Sequence, residues 1–270
     1  MKLKKLLAAA AWCTASVLAL SSCEKKQDGV TPTPPVTPEV MSRIKQLGFS
    51  SQGALAVEGG YVVEGDIFLT PENLAQLGPA QRLRVGTAEQ YQTTNLVNVG
   101  TGRTVTVAVA TALPAAYVTA ADAAIARYNA QGLRLRMSRV TSGADITLVQ
   151  APKRAQYLAS GGFPTGGNPY NQVLINSGAI GTANSGTYIA TILAHELGHC
   201  VGFRHTDYMD RSYSCGGAYS NEGASTVGAI LIPGTPAGPD ALSWMLACIA
   251  SGDNRPFNPN DVTALAYLYK

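Results

Sequence analysis

Charged residues are scarce in this chain, and the two signs nearly balance. Lys, Arg, Asp and Glu make up only 14% of the 270 residues, and the formal net charge is +3. Three of the 20 basic residues, Lys2, Lys4 and Lys5, belong to a segment that we expect to be removed, which leaves 17 residues of each sign. Because the two signs balance, we expect no nucleic-acid partner. Because 46% of the residues are hydrophobic, we expect a globular protein with a sizeable core.

The apolar run near the N-terminus is too short to span a bilayer permanently. It extends from Leu6 to Leu20, directly after a lysine-rich start, and this order is typical of a signal peptide for export. The run ends in Leu20-Ser21-Ser22-Cys23, which resembles the bacterial lipobox, where cleavage precedes a cysteine that is then acylated. We predict a signal peptide at residues 1–22 and a lipid on Cys23. The alternative is cleavage at another small residue, which would give a soluble secreted protein.

A lipid on Cys23 would place the protein in the cell envelope, anchored to a membrane and facing the periplasm or the outer surface. Residues 23–40 are polar and rich in proline, which fixes φ and removes backbone donors. They predict a semi-rigid tether without helix or strand between the membrane and the folded part.

Residues 41–100 are predicted to form a small N-terminal region in front of a larger domain at residues 101–270. The glycine- and asparagine-bearing segment Asn95–Arg103 marks the boundary. Within the region, Gly60–Leu69 is typical of a strand. Thr70-Pro71-Glu72-Asn73 predicts the start of a helix, because it combines a threonine N-cap, proline at the first helical position and an acid in the first turn.

The larger domain alternates between strand and helix patterns. Four short segments are predicted to be strands from their alternation or β-branched content: Arg103–Ala110, Leu133–Arg139, Asp145–Val149 and Gln172–Asn176. Three segments are predicted to be helices: Thr119–Asn129 after a threonine cap, Thr187–Cys200, and a capped amphipathic helix at Asn260–Tyr269. A glycine-rich passage, Ser160–Tyr170, precedes the last strand.

Histidine is the scarcest chemically active residue in the chain. There are only three, and all lie in the sequence HELGHCVGFRH at residues 195–205. On a helix, His195 and His199 share one face about 6 Å apart, so both rings can reach one metal ion. Gly202 can take positive φ and turn the chain, so that His205 returns to the same ion. Three protein ligands leave the fourth position of a tetrahedral catalytic zinc open.

Glu196 follows the first predicted ligand by one residue. That offset places it about 100° round the helix, outside the ligand set but within reach of a zinc-bound water, which makes it the predicted general base. A chance HExxH is the alternative explanation, since five residues form a loose pattern. Three histidines that all fall on HExxHxxGxxH favour a zinc site.

This long pattern resembles the metzincin zinc peptidases and, within them, the bacterial family called dual-action HEIGH metallopeptidases, with a looser similarity to the astacins. The similarity covers about residues 103–270 and is strongest at 187–211. It implies an α+β fold with a mixed twisted sheet, an active-site helix and an irregular C-terminal subdomain ending in a helix. It also implies one catalytic Zn²⁺ held by His195, His199 and His205, with Glu196 as the base.

Metzincins also carry a methionine turn beneath the metal, and Ser243-Trp244-Met245 resembles it. Met245 is preferred to Met209, which is too close to His205 to have passed under the site; the alternative is that Met245 is a plain core residue. Two astacin features are missing. Ala247 stands where astacins have a tyrosine, and Thr206 followed by Asp207 stands where they have a glutamate.

One segment of the N-terminal region resembles the astacin propeptide, in which an aspartate binds the zinc. It is Val63-Glu64-Gly65-Asp66-Ile67. We hypothesise that Asp66 closes the open metal position, since a carboxylate is a good zinc ligand and Gly65 allows a close backbone approach. The alternative is that Gly65-Asp66 is an ordinary turn before a strand.

Cysteines are also few. With Cys23 acylated, Cys200, Cys215 and Cys248 allow at most one disulfide and one free thiol, and the pairing is open. Cys200 is expected to be structural rather than catalytic. Metzincins align a peptide substrate along an edge strand, which here would be Gln172–Asn176 or its glycine-rich approach.

Together these features predict a zinc-dependent endopeptidase that cleaves protein or peptide substrates and is latent through Asp66. One alternative is a non-catalytic zinc-binding surface lipoprotein or adhesin, although such a protein would have no use for Glu196. A second is a zinc hydrolase that acts on a non-peptide amide.

Overall fold

The structure is a computed structural model that describes residues 34–47, 49–75, 90–223, 228–236 and 238–270. They belong to one compact unit, Thr33–Lys270. The predicted signal peptide, the predicted lipid site Cys23 and the tether up to residue 33 lie outside the described residues. Within them, no helix combines the length and apolar character needed to cross a membrane.

The N-terminal region begins with helix α1, Pro38–Gln46. This helix starts inside the segment predicted to be a tether without helix. Pro38 occupies the first helical turn, where the missing N–H costs nothing, and Thr37 caps the helix by accepting a hydrogen bond from the N–H of Val40 at 3.3 Å. The tether prediction is therefore wrong for residues 38–40.

A three-stranded antiparallel sheet follows, formed by β1 (Leu55–Val57), β2 (Gly60–Val63) and β3 (Ile67–Leu69). The single strand predicted at Gly60–Leu69 is therefore wrong, because residues 64–66 form a turn between two strands. Glu64 and Gly65 both have positive φ, of 55° and 92°, which extended backbone does not allow. Helix α2, Pro71–Ala75, begins as predicted, after Thr70, whose hydroxyl accepts a hydrogen bond from the N–H of Asn73 at 3.2 Å.

The larger domain is built on a five-stranded mixed sheet, as predicted. After β4 (Tyr91–Gln92), its elements are β5 (Arg103–Val109), α3 (Ala116–Asn129), β6 (Leu135–Arg139), β7 (Ile146–Gln150), β8 (Ala159–Ser160) and β9 (Gln172–Ile175). The strand order is β6-β5-β7-β9-β8, in which only β8 is antiparallel to its neighbour. Helix α3 begins before the predicted Thr119, without a side-chain cap.

The position of β9 corrects one expectation. The strand predicted at Gln172–Asn176 as an edge for substrate lies inside the sheet, between β7 and β8. The edge strand on this side of the sheet is β8, and Ser160 at its end begins the glycine-rich passage, the other candidate for the substrate edge. Sheet order depends on pairing between distant segments, so alternation within one strand cannot reveal it.

The helix that carries His195 and His199 lies in the core. After α4 (Ser177–Ile180) and a π-helical turn at Ser185–Ile189, helix α5 spans Ala190–Val201, and all 12 of its residues are buried. It packs against α3, and the two contribute to one cluster with the inner face of the sheet. A helix that is buried all round must satisfy its polar side chains within the protein. That requirement applies to His195, Glu196 and His199.

The remaining elements form the irregular C-terminal part. They are β10 (Phe203–Arg204), α6 (Ser212–Cys215), β11 (Ile230–Leu231) and α7 (Pro259–Tyr269). Asn258 and Asp261 form a capping box at the start of α7, which confirms a capped final helix that begins one residue earlier than predicted. Strand β4 lies between β10 and β11, so residues 91–92 pack with the larger domain.

Candidate metal centre

The three histidines converge because of how α5 ends. His195 and His199 are one helical turn apart, and their ring centroids lie 4.7 Å from each other. Gly202 ends the helix with φ 115°, a conformation that other residues rarely adopt, and a Cβ there would lie 3.1 Å from the backbone carbonyl oxygen of Asn95. The chain turns back through β10 and places the Nε2 atom of His205 3.2 Å from the Nε2 atom of His199.

Asp66 joins this group from the turn between β2 and β3. Its Oδ2 atom lies 3.0 Å from Nε2 of His205 and 3.4 Å from Nε2 of His195. One ligand atom from each of the four residues falls within 4.8 Å of the others, and all four residues are buried. The sequence allowed two interpretations of Gly65-Asp66, an ordinary turn before a strand or an approach to the metal site. The structure has both features, because the turn places Asp66 in the cluster.

Each histidine is fixed from behind through its other ring nitrogen. The Nδ1 atom of His195 lies 2.8 Å from the carbonyl oxygen of Trp244, and that of His199 lies 2.8 Å from the carbonyl oxygen of Phe203. The Nδ1 atom of His205 lies 2.8 Å from Oε1 of Glu222. When Nδ1–H donates to these acceptors, the lone pair of Nε2 faces the centre of the cluster.

The charges around the cluster also fit a divalent cation. Nε2 of His195 is buried without a hydrogen-bond partner among the described residues. Four buried carboxylates and two guanidinium groups surround the site: Glu64, Asp66, Glu196, Glu222, Arg204 and Arg211. Carboxyl groups thus outnumber guanidinium groups around the site. The donor set of histidine nitrogens and one carboxylate oxygen is the one that zinc prefers.

The same crowding shifts the pKa values in the cluster. Burial raises the pKa of Glu196 well above its ordinary value, and the charge of Asp66 adds to this effect. Burial lowers the pKa of His199, helped by His195 and His205. Burial also opposes the charged form of His205, but Asp66 and Glu222 outweigh it and hold the pKa of His205 well above its ordinary value.

Glu196 lies beside the four-ligand group and outside it. Its Oε2 atom is buried and has no hydrogen-bond partner among the described residues. The backbone of Gly161, next to the edge strand, approaches so closely that a Cβ there would lie 3.1 Å from Oε2. Glycine at this position leaves room for the carboxylate.

Met245 packs against the active-site helix. It is fully buried, and its carbonyl oxygen accepts a hydrogen bond from the N–H of Thr206 at 2.9 Å. Met209 instead belongs to a separate small cluster with Tyr91 and Tyr208. The structure thus places Met245, the residue chosen as the methionine of the turn, between the histidine-bearing helix and the segment that follows His205.

Asp207 and Ala247, which occupy positions where the astacin features are missing, are joined by a hydrogen bond. The Oδ1 atom of Asp207 accepts from the N–H of Ala247 at 3.0 Å, and its Oδ2 atom accepts from the hydroxyl of Ser214 at 2.5 Å. Asp207 therefore holds the chain after His205 to the chain after Met245.

A disulfide lies beside a cavity of about 220 Å³ that opens on His195 and Glu196. Cys215 and Cys248 form the bond, and Cys248 lines the cavity. Cys200 is the remaining free thiol in the described part of the chain and is buried, as expected for a structural role. Burial raises the pKa of its thiol, so it is unreactive.

Sequence reasoning missed Glu222 and the buried pair of Glu64 with Arg204, whose Oε2 and Nη2 atoms are 3.1 Å apart. Arg204 lies inside the HELGHCVGFRH motif, but nothing in its spacing indicates a buried guanidinium. Glu222 is 17 residues from His205 in a segment without a motif. No sequence signal could have identified either role.

A family profile matches most of the chain. The family profile described as dual-action HEIGH metallo-peptidase matches residues 61–269. No curated protein matches the chain.

Solved structures of peptidases resemble the chain more distantly. A structure of myroilysin is 16% identical and covers 63% of this chain and 94% of its own, with a TM-score of 0.42. A crystal structure of myroilysin is 15% identical, covers 63% and 86%, and has a TM-score of 0.40. High choriolytic enzyme 1, a hatching enzyme zinc-protease from the medaka fish Oryzias latipes, is 17% identical, covers 61% and 88%, and has a TM-score of 0.36.

Proposed function

The chain belongs to the dual-action HEIGH metallopeptidases and is a zinc metallopeptidase; from that premise we propose that it is an endopeptidase in which Glu196 is the general base and Asp66 imposes latency. The observation that carries the proposal is the convergence of three histidines and Asp66, with their ligand atoms within 4.8 Å of one another.

The Nε2 atoms of His195, His199 and His205 would hold the zinc ion. Bound zinc supplies a Lewis acid that polarises the scissile carbonyl and lowers the pKa of water. The protein contributes fixed ligand directions, because each Nδ1 atom already has its acceptor.

Glu196 is the group that moves protons. Its Oε2 atom is buried, has no hydrogen-bond partner among the described residues, and lies on the helix that carries two of the ligands. In the proposed reaction Oε2 takes a proton from the attacking water and delivers it to the leaving amide nitrogen. Burial supports this role, since it excludes competing bulk water from the carboxylate.

The N-terminal hairpin supports latency in two ways. Asp66 fills the side of the cluster that the histidines leave open, with Oδ2 near two Nε2 atoms. Strand β3 also pairs in parallel with Gly161, and the N–H of Phe68 donates to the Gly161 carbonyl oxygen at 2.8 Å. The hairpin thus occupies the backbone groups next to edge strand β8, where an extended peptide substrate would add a strand.

Activity of the full chain against a mixed peptide library tests these roles. The variants are Asp66→Ala, Glu196→Gln, and Asp122→Ala as a surface control whose carboxylate is exposed and pairs only with Arg139 in the described part. We expect Asp66→Ala to raise cleavage at least about tenfold over the wild type, since the hairpin then lacks its carboxylate contact with the metal site and is displaced more readily by substrate. We expect Glu196→Gln to retain one zinc per chain and to lose cleavage by about 100-fold or more.

Four results would contradict parts of the proposal. Unchanged cleavage by Asp66→Ala removes the latency role, and retained cleavage by Glu196→Gln removes the general base. Zinc binding without cleavage by any variant would favour the alternative, a non-catalytic surface lipoprotein or adhesin. Cleavage only of non-peptide amides would favour the second alternative. A truncated form for this comparison must begin before Gln90, because β4 belongs to the small sheet with β10.

We also propose that a lipid on Cys23 anchors the protein in the cell envelope. The support is the lipobox-like sequence Leu20-Ser21-Ser22-Cys23 after the apolar run. Incorporation of labelled fatty acid in a bacterial host tests it. Label in the wild type but not in Cys23→Ala is the expected result, and equal label in both would refute the anchor.

A further inference from the structure

The ring of His205 is held by a different kind of acceptor from those that hold the other two histidines. Backbone carbonyl oxygens hold His195 and His199, and the fold itself fixes those atoms. His205 follows the helix on an irregular segment, and the acceptor for its Nδ1 atom is a side chain, Oε1 of Glu222, at 2.8 Å. A side chain can direct a ring only if it is itself held in place.

Glu222 is held on several sides. The Nε atom of Arg211 lies 3.0 Å from Oε1, and the Nη2 atom of Arg204 lies 3.5 Å from Oε2. The backbone N–H of Glu222 donates to the carbonyl oxygen of Tyr208 at 2.7 Å. The side chains of Glu222, Arg204 and His205 are all fully buried, so water cannot substitute for these partners.

We propose that Glu222 is a positioning residue for His205, and that it fixes the direction in which Nε2 of His205 presents its lone pair to zinc. This inference rests on the proposed function, because it concerns the same metal site. A buried carboxylate that accepts from a ligand histidine restricts the ring to one tautomer and one orientation. The positive charges of two guanidinium groups, those of Arg204 and Arg211, attract the carboxylate and keep it in that place.

Arg204 provides a matched control. Its Nη2 atom also lies 3.1 Å from Oε2 of Glu64, whose side chain is fully buried too. Glu64 and Glu222 therefore share one guanidinium partner, but only Glu222 contacts His205. Glu64→Gln replaces a buried carboxyl group of the same network with an amide and leaves the Nδ1 acceptor intact.

The test is the zinc dissociation constant of the full chain, measured by competition with a chromogenic chelator. We expect Glu222→Ala to weaken zinc binding by about 10- to 100-fold and Glu222→Gln by about tenfold, since the amide oxygen still accepts but lacks the charge. Glu64→Gln should stay within about threefold of the wild type, because His205 keeps its acceptor. The midpoint of unfolding of each variant is measured in parallel in the presence of a chelator. A purely structural role of Glu222 would change this midpoint and leave the zinc dissociation constant unchanged.

Zinc binding by Glu222→Gln within threefold of the wild type would overturn the positioning role, whether or not the alanine variant folds. Equal weakening of zinc binding by Glu64→Gln would overturn it as well. It would show that any change in this buried network weakens zinc binding, whether or not His205 keeps its acceptor. Failure of both Glu222 variants to fold would make the residue purely structural. A wild-type chain that binds no zinc would instead refute the proposed function.

Discussion

Gly198 and Met245 are in direct contact within the core. A Cβ at Gly198 would lie 2.7 Å from the sulfur of Met245 and 3.2 Å from Nε1 of Trp244. Gly198 directly precedes His199 in helix α5, so the methionine packs on the turn that carries both helical histidines. The helix tolerates a glycine here because a larger residue has no space.

We expect Gly198→Ala to lower the free energy of unfolding by about 1–3 kcal/mol, as overpacking does in a dense core. Alanine favours a helix over glycine by up to about 1 kcal/mol, so the steric effect must exceed this gain. Urea unfolding measures the difference. Gly186→Ala is the control, since no atom lies within 4 Å of a Cβ there. A variant at 198 as stable as the wild type would contradict the close contact.

Removal of zinc should lower the thermal stability of the protein. A ligand at 100 times its dissociation constant stabilises the folded state by about 2.7 kcal/mol, which corresponds to roughly 5–10 °C in Tm for a domain of this size. Differential scanning fluorimetry with and without a chelator measures the shift. His199→Ala removes one ring from the ligand cluster, so its Tm should not respond to the chelator. An equal shift in both proteins would mean that the metal binds elsewhere.

Loss of the disulfide should also destabilise the chain. Cys215 and Cys248 are separated by 33 residues, and closing a loop of that length lowers the entropy of the unfolded chain by an amount worth about 4 kcal/mol. We expect the double Cys→Ser variant to lose about 2–4 kcal/mol in denaturant unfolding. Reductant should reduce the stability of the wild type and of Cys200→Ala alike. A wild type that is insensitive to reductant would count against the bond.

Asp261, which is not one of the predicted metal ligands, gives a pH dependence of stability. From the first turn of α7, its carboxylate accepts hydrogen bonds from the hydroxyl of Ser243 and the N–H of Trp244. Burial raises the pKa of Asp261 to about 7. Because the folded pKa exceeds the unfolded one, the folded state binds more protons, and stability falls as pH rises from about 4 to about 7. One pKa unit corresponds to about 1.36 kcal/mol.

Asp261→Asn has no such titration. With zinc removed, its free energy of unfolding relative to the wild type should therefore rise across the same pH range, on the order of 1–4 kcal/mol. Urea titrations at several pH values measure the difference. A constant difference between pH 4 and pH 7 would show that Asp261 is ionised throughout, about as in the unfolded chain.

Local patterns predicted most of the secondary structure. Helix α2 begins after Thr70, helix α5 runs into Gly202, and the capped helix α7 closes the chain, because caps and positive φ depend on a few neighbouring residues. The same locality explains the failures. The turn at Glu64-Gly65 interrupts an apolar pattern that continues on both sides of it, and α3 lacks the cap that the sequence suggested.

The sequence by itself determined the zinc-binding motif. His195, Glu196 and His199 acquire their relative geometry from the helical period, and Gly202 supplies the turn that returns His205, so four residues of the site follow from spacing within eleven residues. It also suggested Asp66, but only through resemblance, since the pattern Gly65-Asp66 is equally a turn.

Only the tertiary structure decided the partners from distant segments. Asp66 meets His205 across 139 residues, Glu222 holds its Nδ1 atom, and Cys215 pairs with Cys248 rather than with Cys200. Sheet order made β8 the edge beside which the N-terminal hairpin binds. These contacts join segments whose spacing in the chain carries no periodic signal, so they become defined only when burial of the core brings the segments together.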